Sequence, residues 1–141
     1  MRATRENLGY RLAKASQRWN ELLYEGFRAH GFDEVRPAYG SVLLPLFEED
    51  GLRMGEIARR TRLSKQTMTT LVRLAERDGL VRRKRDPRDG RAFRISLTAR
   101  GHAFRPVAEA VLTELDRRVR STLSAADLNT AQRVLEGVME L

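Results

Sequence analysis

The sequence predicts a mainly α-helical chain with a single small β-hairpin, in the order α-α-α-α-β-β-α-α, and three observations carry that prediction. Long segments near both ends repeat apolar residues at three-and-four spacing, the period of an amphipathic helix. Between them a short helical pattern, a Ser64 cap and a second helical pattern follow one another directly, the layout of a helix-turn-helix. Two strand-like runs come next, Leu80 to Arg85 and Ala92 to Leu97, on either side of Asp86-Pro87-Arg88-Asp89-Gly90-Arg91. Proline and Asp-Gly are turn formers, so this segment reads as a hairpin. A helix-turn-helix followed by such a hairpin makes a winged helix-turn-helix lobe.

The first helix is expected over 5–30, from Leu8, Leu12, Ala15, Trp19, Leu22, Leu23 and Phe27, with Gly31 as its stop. The second starts with Pro37 in its first turn and carries Tyr39, Val42, Leu43, Leu46 and Phe47 to Gly51. Pro45 lies inside it, where a missing N–H costs roughly 3 kcal/mol and predicts a kink. The third is short, 55–61, with Ile57 and Ala58 inward. Ser64 caps the fourth, which runs to Asp78 and stops at Gly79. After the hairpin, Thr98 caps a long fifth helix with the stripe Phe104, Val107, Ala108, Val111, Leu112, Leu115 and Val119. Ser124 caps a sixth, with Leu128, Ala131, Leu135, Val138 and Met139 on one face.

These elements fit one domain over residues 1–141. Residues 36–97 form the winged lobe, and 1–35 with 98–141 supply terminal helices whose apolar stripes exceed what so small a lobe covers. Burying the surplus against a second copy predicts a homodimer built from both chain ends. The competing arrangement packs the terminal helices on one another within a monomer.

Charge is segregated. Of 27 basic and 19 acidic residues, 15 basic and 5 acidic fall within 51–101, so the excess positive charge belongs to the winged lobe. A local patch of this kind is what steering toward a polyanion requires. The chain has no cysteine, which excludes thiol redox sensing, disulfides and thiolate metal sites. His30 and His102 end different helices, so no metal or other cofactor is expected. Neither the H-E-x-x-H pattern nor a glycine-rich phosphate loop occurs, and an enzyme is not expected. Apolar runs are short and the first twenty residues are charged throughout, which predicts a cytoplasmic protein with no membrane partner.

Projected at 100° per residue, the fourth helix puts Met68, Leu71, Val72 and Ala75 on one side and Gln66, Thr69, Thr70, Arg73 and Arg77 on the other. The outward stripe has no acid. An amide, two hydroxyls and two guanidinium groups are the side chains that reach base edges and phosphates in a major groove. Ser64, Lys65 and Thr67 open the same helix, with Lys65 beside the stripe. In the wing, Arg83, Arg85, Arg88, Asp89 and Arg91 are the candidate contacts. A module docking RNA or a protein partner is the alternative reading. Against RNA stands the lack of aromatics in the fourth helix and in 86–91, because unpaired bases are usually read by stacking.

The run from Met54 to Gly101 resembles the multiple antibiotic resistance regulator (MarR) family, above all Asp78-Gly79-Leu80-Val81-Arg82-Arg83, the wing through Ala92, and Leu97-Thr98-Ala99-Arg100-Gly101. The resemblance implies a homodimeric transcription regulator, a repressor, on a pseudo-palindromic operator in double-stranded DNA. It implies that the fourth helix enters the major groove and Arg91 the minor groove, with Asp89 holding Arg91 in place. It also implies release by a small phenolic or anionic aromatic ligand, for which Arg11, Trp19, Tyr39 and Leu43 are the candidate lining residues. Where the family often has an arginine, this chain has Thr70; where it often has glutamine and an aromatic, this chain has Tyr39 and Gly40.

Overall fold

The computed structural model describes residues 2–141. Helix α1 spans Leu8–Ala29, a 3-10 turn Pro37–Tyr39 leads into α2 (Gly40–Glu48), and strand β1 (Leu52–Arg53) precedes α3 (Met54–Thr61). Helix α4 (Lys65–Arg77) follows, then β2 (Val81–Arg85), β3 (Phe93–Leu97), α5 (Ala99–Thr122) and α6 (Ala125–Met139). The predicted winged helix-turn-helix with terminal helices is present.

The start of α1 and the number of strands differ from the sequence expectation. Helix α1 begins at Leu8 rather than residue 5, because Asn7 is extended and its side-chain oxygen accepts from the Tyr10 N–H at 2.8 Å. The sheet has three strands rather than two, ordered β1-β3-β2 and antiparallel, with Leu52 opposite Ile95 and Val81 opposite Leu97. Two residues are too few for a periodicity to reveal. What secures β1 is non-local: Asp50 accepts from the Leu97 N–H at 3.0 Å, and the Arg94 guanidinium donates to the Gly51 carbonyl at 2.9 Å.

One continuous core joins the lobe to the terminal helices. Phe104 of α5 meets Phe27 of α1 edge-on at 4.8 Å and Phe32 at 5.3 Å. Helices α1 and α5 approach closely where Gly26 faces Val111, and a Cβ there would stand 2.6 Å from a Val111 methyl. Gly101 is required for a similar reason: a side chain on it would overlap the Leu80 carbonyl oxygen. Thr98 completes that junction, accepting from the Gly101 N–H and donating to the Gly79 carbonyl. The start of α5 is thereby fastened to the end of the helix-turn-helix.

Helix α6 behaves differently. None of its residues is buried, and Val134, Leu135 and Met139 are 49%, 46% and 64% exposed. Its C-terminal end is held by Arg62, which takes the left-handed region (φ 57°) at the end of α3 and donates to the Met139 carbonyl at 2.9 Å.

Candidate nucleic-acid interface

The geometry of α4 is set from both ends. Ser64 is extended and its Oγ accepts from the Thr67 N–H at 3.1 Å, satisfying one of the free donors of the first turn. At the other end Gly79 has φ +80°, and the N–H groups of Gly79 and Leu80 return to the Glu76 and Ala75 carbonyls, the Schellman closure that only a left-handed residue makes cheaply. Met68, Val72 and Ala75 are buried, with exposures of 0–1%, so the rotation of the helix is fixed by its core face. Ser64, Lys65, Gln66, Thr67, Thr69, Thr70, Arg73 and Arg77 are all left exposed.

Among the described residues, the side chains of Lys65, Gln66 and Arg73 have no protein hydrogen-bond or ion-pair partner. The two threonines differ from these three. Thr69 and Thr70 donate to the Lys65 and Gln66 carbonyls at 2.7 and 3.1 Å, so their hydroxyl hydrogens are engaged by the helix backbone. Their lone pairs and γ-methyl groups remain for an incoming ligand. Arg77 is likewise occupied, donating to Asp78.

The wing is built around Asp86, a 3%-exposed carboxylate in a sheet of arginines. One oxygen accepts from the backbone N–H of Arg88 at 2.8 Å and of Asp89 at 3.3 Å, closing the turn after β2. The other accepts from Nε of both Arg53 and Arg94 at 3.0 Å. The Arg88 N–H is the largest influence that holds the Asp86 carboxyl down at about 2, with the Arg53 hydrogen bond adding to it against the cost of burial. Sequence reading passed over Asp86, Arg53 and Arg94 as site residues. An aspartate two residues before a free backbone N–H is an Asx-turn signal and was visible; its two arginine partners were not.

The candidate wing residues fall into three situations. Arg83 is tied to Glu76 of α4, and Arg85 donates to the Gly90 carbonyl at 2.6 Å; both also flank the Phe93 ring. Arg88 is exposed and its side chain has no partner among the described residues. Arg91 has a side chain 96% exposed, its Nε 3.6 Å from Asp89 and its backbone N–H donating to the same carboxylate at 3.1 Å. Asp89 thus orients the wing-tip arginine without burying it.

Helix and wing share a cleft of about 600 Å³. Arg53, Arg59, Lys65, Arg88 and Arg94 line it with the single acid Glu56, and Gly55 and Thr69 are also in its lining. Five cations around one open groove suit a bridging polyanion, since each neutralised phosphate releases counterions. Arg59 was also missed in the sequence. It lies on the exposed side of α3, where nothing in its pattern marks it out.

A second, apolar cavity of about 180 Å³ lies between α1, α2 and α5. Trp19, Leu23, Phe27, Leu43, Phe47, Phe104 and Leu112 line it, and Arg36, Pro37 and Gly40 complete its wall. Two of the four candidate pocket residues, Trp19 and Leu43, are among its lining. The other two are not. Tyr39 is 0% exposed in the core and points its hydroxyl at Asp78, while Arg11 lies on the exposed face of α1, more than two turns before Trp19. The one charged residue in the wall of this cavity is Arg36, an exposed side chain that no periodic pattern singled out. Among the described residues, no three His, Asp or Glu side chains gather as a metal centre, and no helix is long and apolar enough to cross a membrane.

The profile of the MarR family matches residues 37–92. An HTH-type transcriptional repressor of Mycobacterium tuberculosis is 37% identical over 91 residues, which is 64% of this chain and 66% of that relative. A Mycobacterium tuberculosis MarR family protein, solved in complex with salicylic acid, superposes with a TM-score of 0.62 at 30% identity, over 94% of this chain and 96% of that one. The transcriptional repressor CouR, solved on a 23-mer DNA duplex, superposes with a TM-score of 0.79 at 25% identity, over 99% and 98% of the two chains.

Proposed function

The chain belongs to the MarR family, and from that premise we propose that it is a homodimeric repressor of transcription that binds double-stranded DNA at a pseudo-palindromic operator. The observation that carries this reading is the shared basic cleft, which joins the partner-free donors of α4 to the arginine wing. A duplex laid along it meets Gln66 and Arg73 with base edges, Lys65, Arg59 and Arg88 with phosphates, and Arg91 at the minor groove. Dimerisation supplies the second half-site and covers Val134, Leu135 and Met139 of α6. The relative solved on DNA and the curated repressor support the same direction.

Release is assigned to the apolar cavity. Aromatic rings from Trp19, Phe27, Phe47 and Phe104 in a cavity whose wall includes Arg36 fit a small aromatic acid: the rings take the apolar body, and Arg36 is the candidate cation for the carboxylate. That a relative holds salicylic acid supports this choice of ligand class.

The test is to select genomic duplexes with the purified protein, then measure binding to the selected operator, to a scrambled duplex and to single-stranded RNA of matched length. Operator binding about 10³-fold or more tighter than scrambled binding is expected for a specific reader. Equal binding to RNA would assign the module to the alternative partner class.

A further inference from the structure

A hydrogen bond from Tyr39 links the turn in the wall of the apolar cavity to the end of the reading helix. Arg36, Pro37 and Gly40 face the cavity, and Tyr39, between them, faces the opposite way. Its hydroxyl donates to Oδ2 of Asp78 at 2.5 Å. Asp78 is the residue that caps the C-terminus of α4, its own backbone N–H returning to the Leu74 carbonyl. The same carboxylate accepts from Arg77 at 3.2 and 3.3 Å, which leaves it committed on both sides. Burial raises the Tyr39 hydroxyl above its ordinary range, so it stays protonated and remains the donor.

We infer that Tyr39 is the positioning residue through which occupancy of the apolar cavity changes the set of α4, and that its hydrogen bond to Asp78 is the coupling element. This deepens the proposed function and rests on its effector reading. The 13 residues of α4 form a rod of about 20 Å. One end is held by Asp78, and Lys65 and Gln66 stand at the other. A ligand seated against Pro37 and Gly40 displaces the short turn that carries Tyr39, and a packed core transmits such a displacement rather than absorbing it. Pulling on the cap then moves the reading end of the rod. Tyr39 lines neither the cavity nor the basic cleft, so its removal changes the communication between sites and not the sites.

Tyr39→Phe tests this, because it keeps the buried ring and deletes only the donor. Three quantities are measured on the full chain: affinity for the selected operator duplex, affinity for salicylate, and operator affinity with salicylate saturating. Coupling of this type changes affinity about 5–150-fold. In the wild type, salicylate weakens operator binding by a factor in that range. In Tyr39→Phe the factor falls to about 1–2 while each ligand alone still binds. Asp78→Asn retains an oxygen that accepts from Tyr39 and keeps most of the factor, whereas Asp78→Ala loses it. A Tyr39→Phe protein with the wild-type factor overturns the inference alone. A wild type whose operator affinity ignores salicylate overturns the effector reading as well, and the coupling with it.

Discussion

Arg53 and Asp86, 33 residues apart, are joined through two nitrogens of one guanidinium: Nε donates at 3.0 Å and a terminal nitrogen lies 2.9 Å from the same carboxylate oxygen. The bond ties the residue just ahead of α3 to the turn of the wing. It follows that the wing is not a free flap, because its turn and the Arg53 side of the cleft share one buried charge. The Asp86 carboxyl is held at about 2 against an ordinary value of 3.8. A depressed pKa of this sign contributes stability that is full above the unfolded value and is lost as pH falls through the folded one. Melting temperature should therefore drop between pH 3.8 and about 2 more steeply in the wild type than in Asp86→Asn. Asp86→Asn should also be less stable than the wild type at neutral pH and show faster amide exchange at Arg88 and Asp89. Parallel pH profiles for the two proteins would refute the role of Asp86.

The wing also shows what a sequence can and cannot disclose. Its strands and turn were legible from local chemistry, as were the Ser64, Thr98 and Ser124 caps, because each depends on neighbours a few residues away. Strand β1 exists only through pairing with β3 more than forty residues later, and no local pattern encodes that. The site divides the same way. Exposed candidates on α4 follow from helical projection, yet the spending of the Thr69 and Thr70 hydroxyls on the helix backbone does not. Tyr39 sits on an apolar stripe and looks like a pocket aromatic, but it ends a 3-10 turn rather than lying inside the helix, and its hydroxyl meets Asp78 while Arg36 lines the cavity.

The exposed apolar row on α6 predicts a dimer in light scattering at micromolar concentration. Leu135 and Met139 are about half to two-thirds exposed in the isolated chain, at 46% and 64%, which is unfavourable unless another surface covers them. Removing residues 124–141 should cause dissociation or loss of solubility. A truncated protein that remains a well-behaved dimer would show that α6 is not part of the seam.

Internal partners rank the wing arginines before any DNA is added. Arg83 is committed to Glu76 across the helix-wing junction, while Arg91 is exposed and only loosely held at 3.6 Å from Asp89. Arg91→Ala should therefore reduce the salt dependence of duplex affinity by about one unit of slope per protomer, with some extra loss at narrow minor grooves. Arg83→Ala should change the slope less and the stability more, since it releases Glu76. Equal slope changes in both variants, measured at two or more salt concentrations, would mean that the ion pair to Glu76 opens on binding.

Reading and anchoring should separate along α4 itself. Gln66 and Arg73 have donors without a partner among the described residues, and Gln66→Ala or Arg73→Ala should each cost about 1–3 kcal/mol on the selected operator, with much less effect on a scrambled duplex. Lys65 lines the cleft with Arg59 and Arg88, so Lys65→Ala should weaken both duplexes alike and lower the salt slope. Thr70 is the discriminating case. Its hydroxyl hydrogen is already spent on the Gln66 carbonyl, which leaves a methyl group and a lone pair to meet a base. Thr70→Val keeps the methyl and removes the oxygen, and Thr70→Ser does the reverse. If the methyl packs against a thymine methyl, valine preserves operator affinity and serine loses it. The opposite order would show the oxygen accepting from a cytosine or adenine amino group, and no difference between them would place Thr70 outside the reading surface.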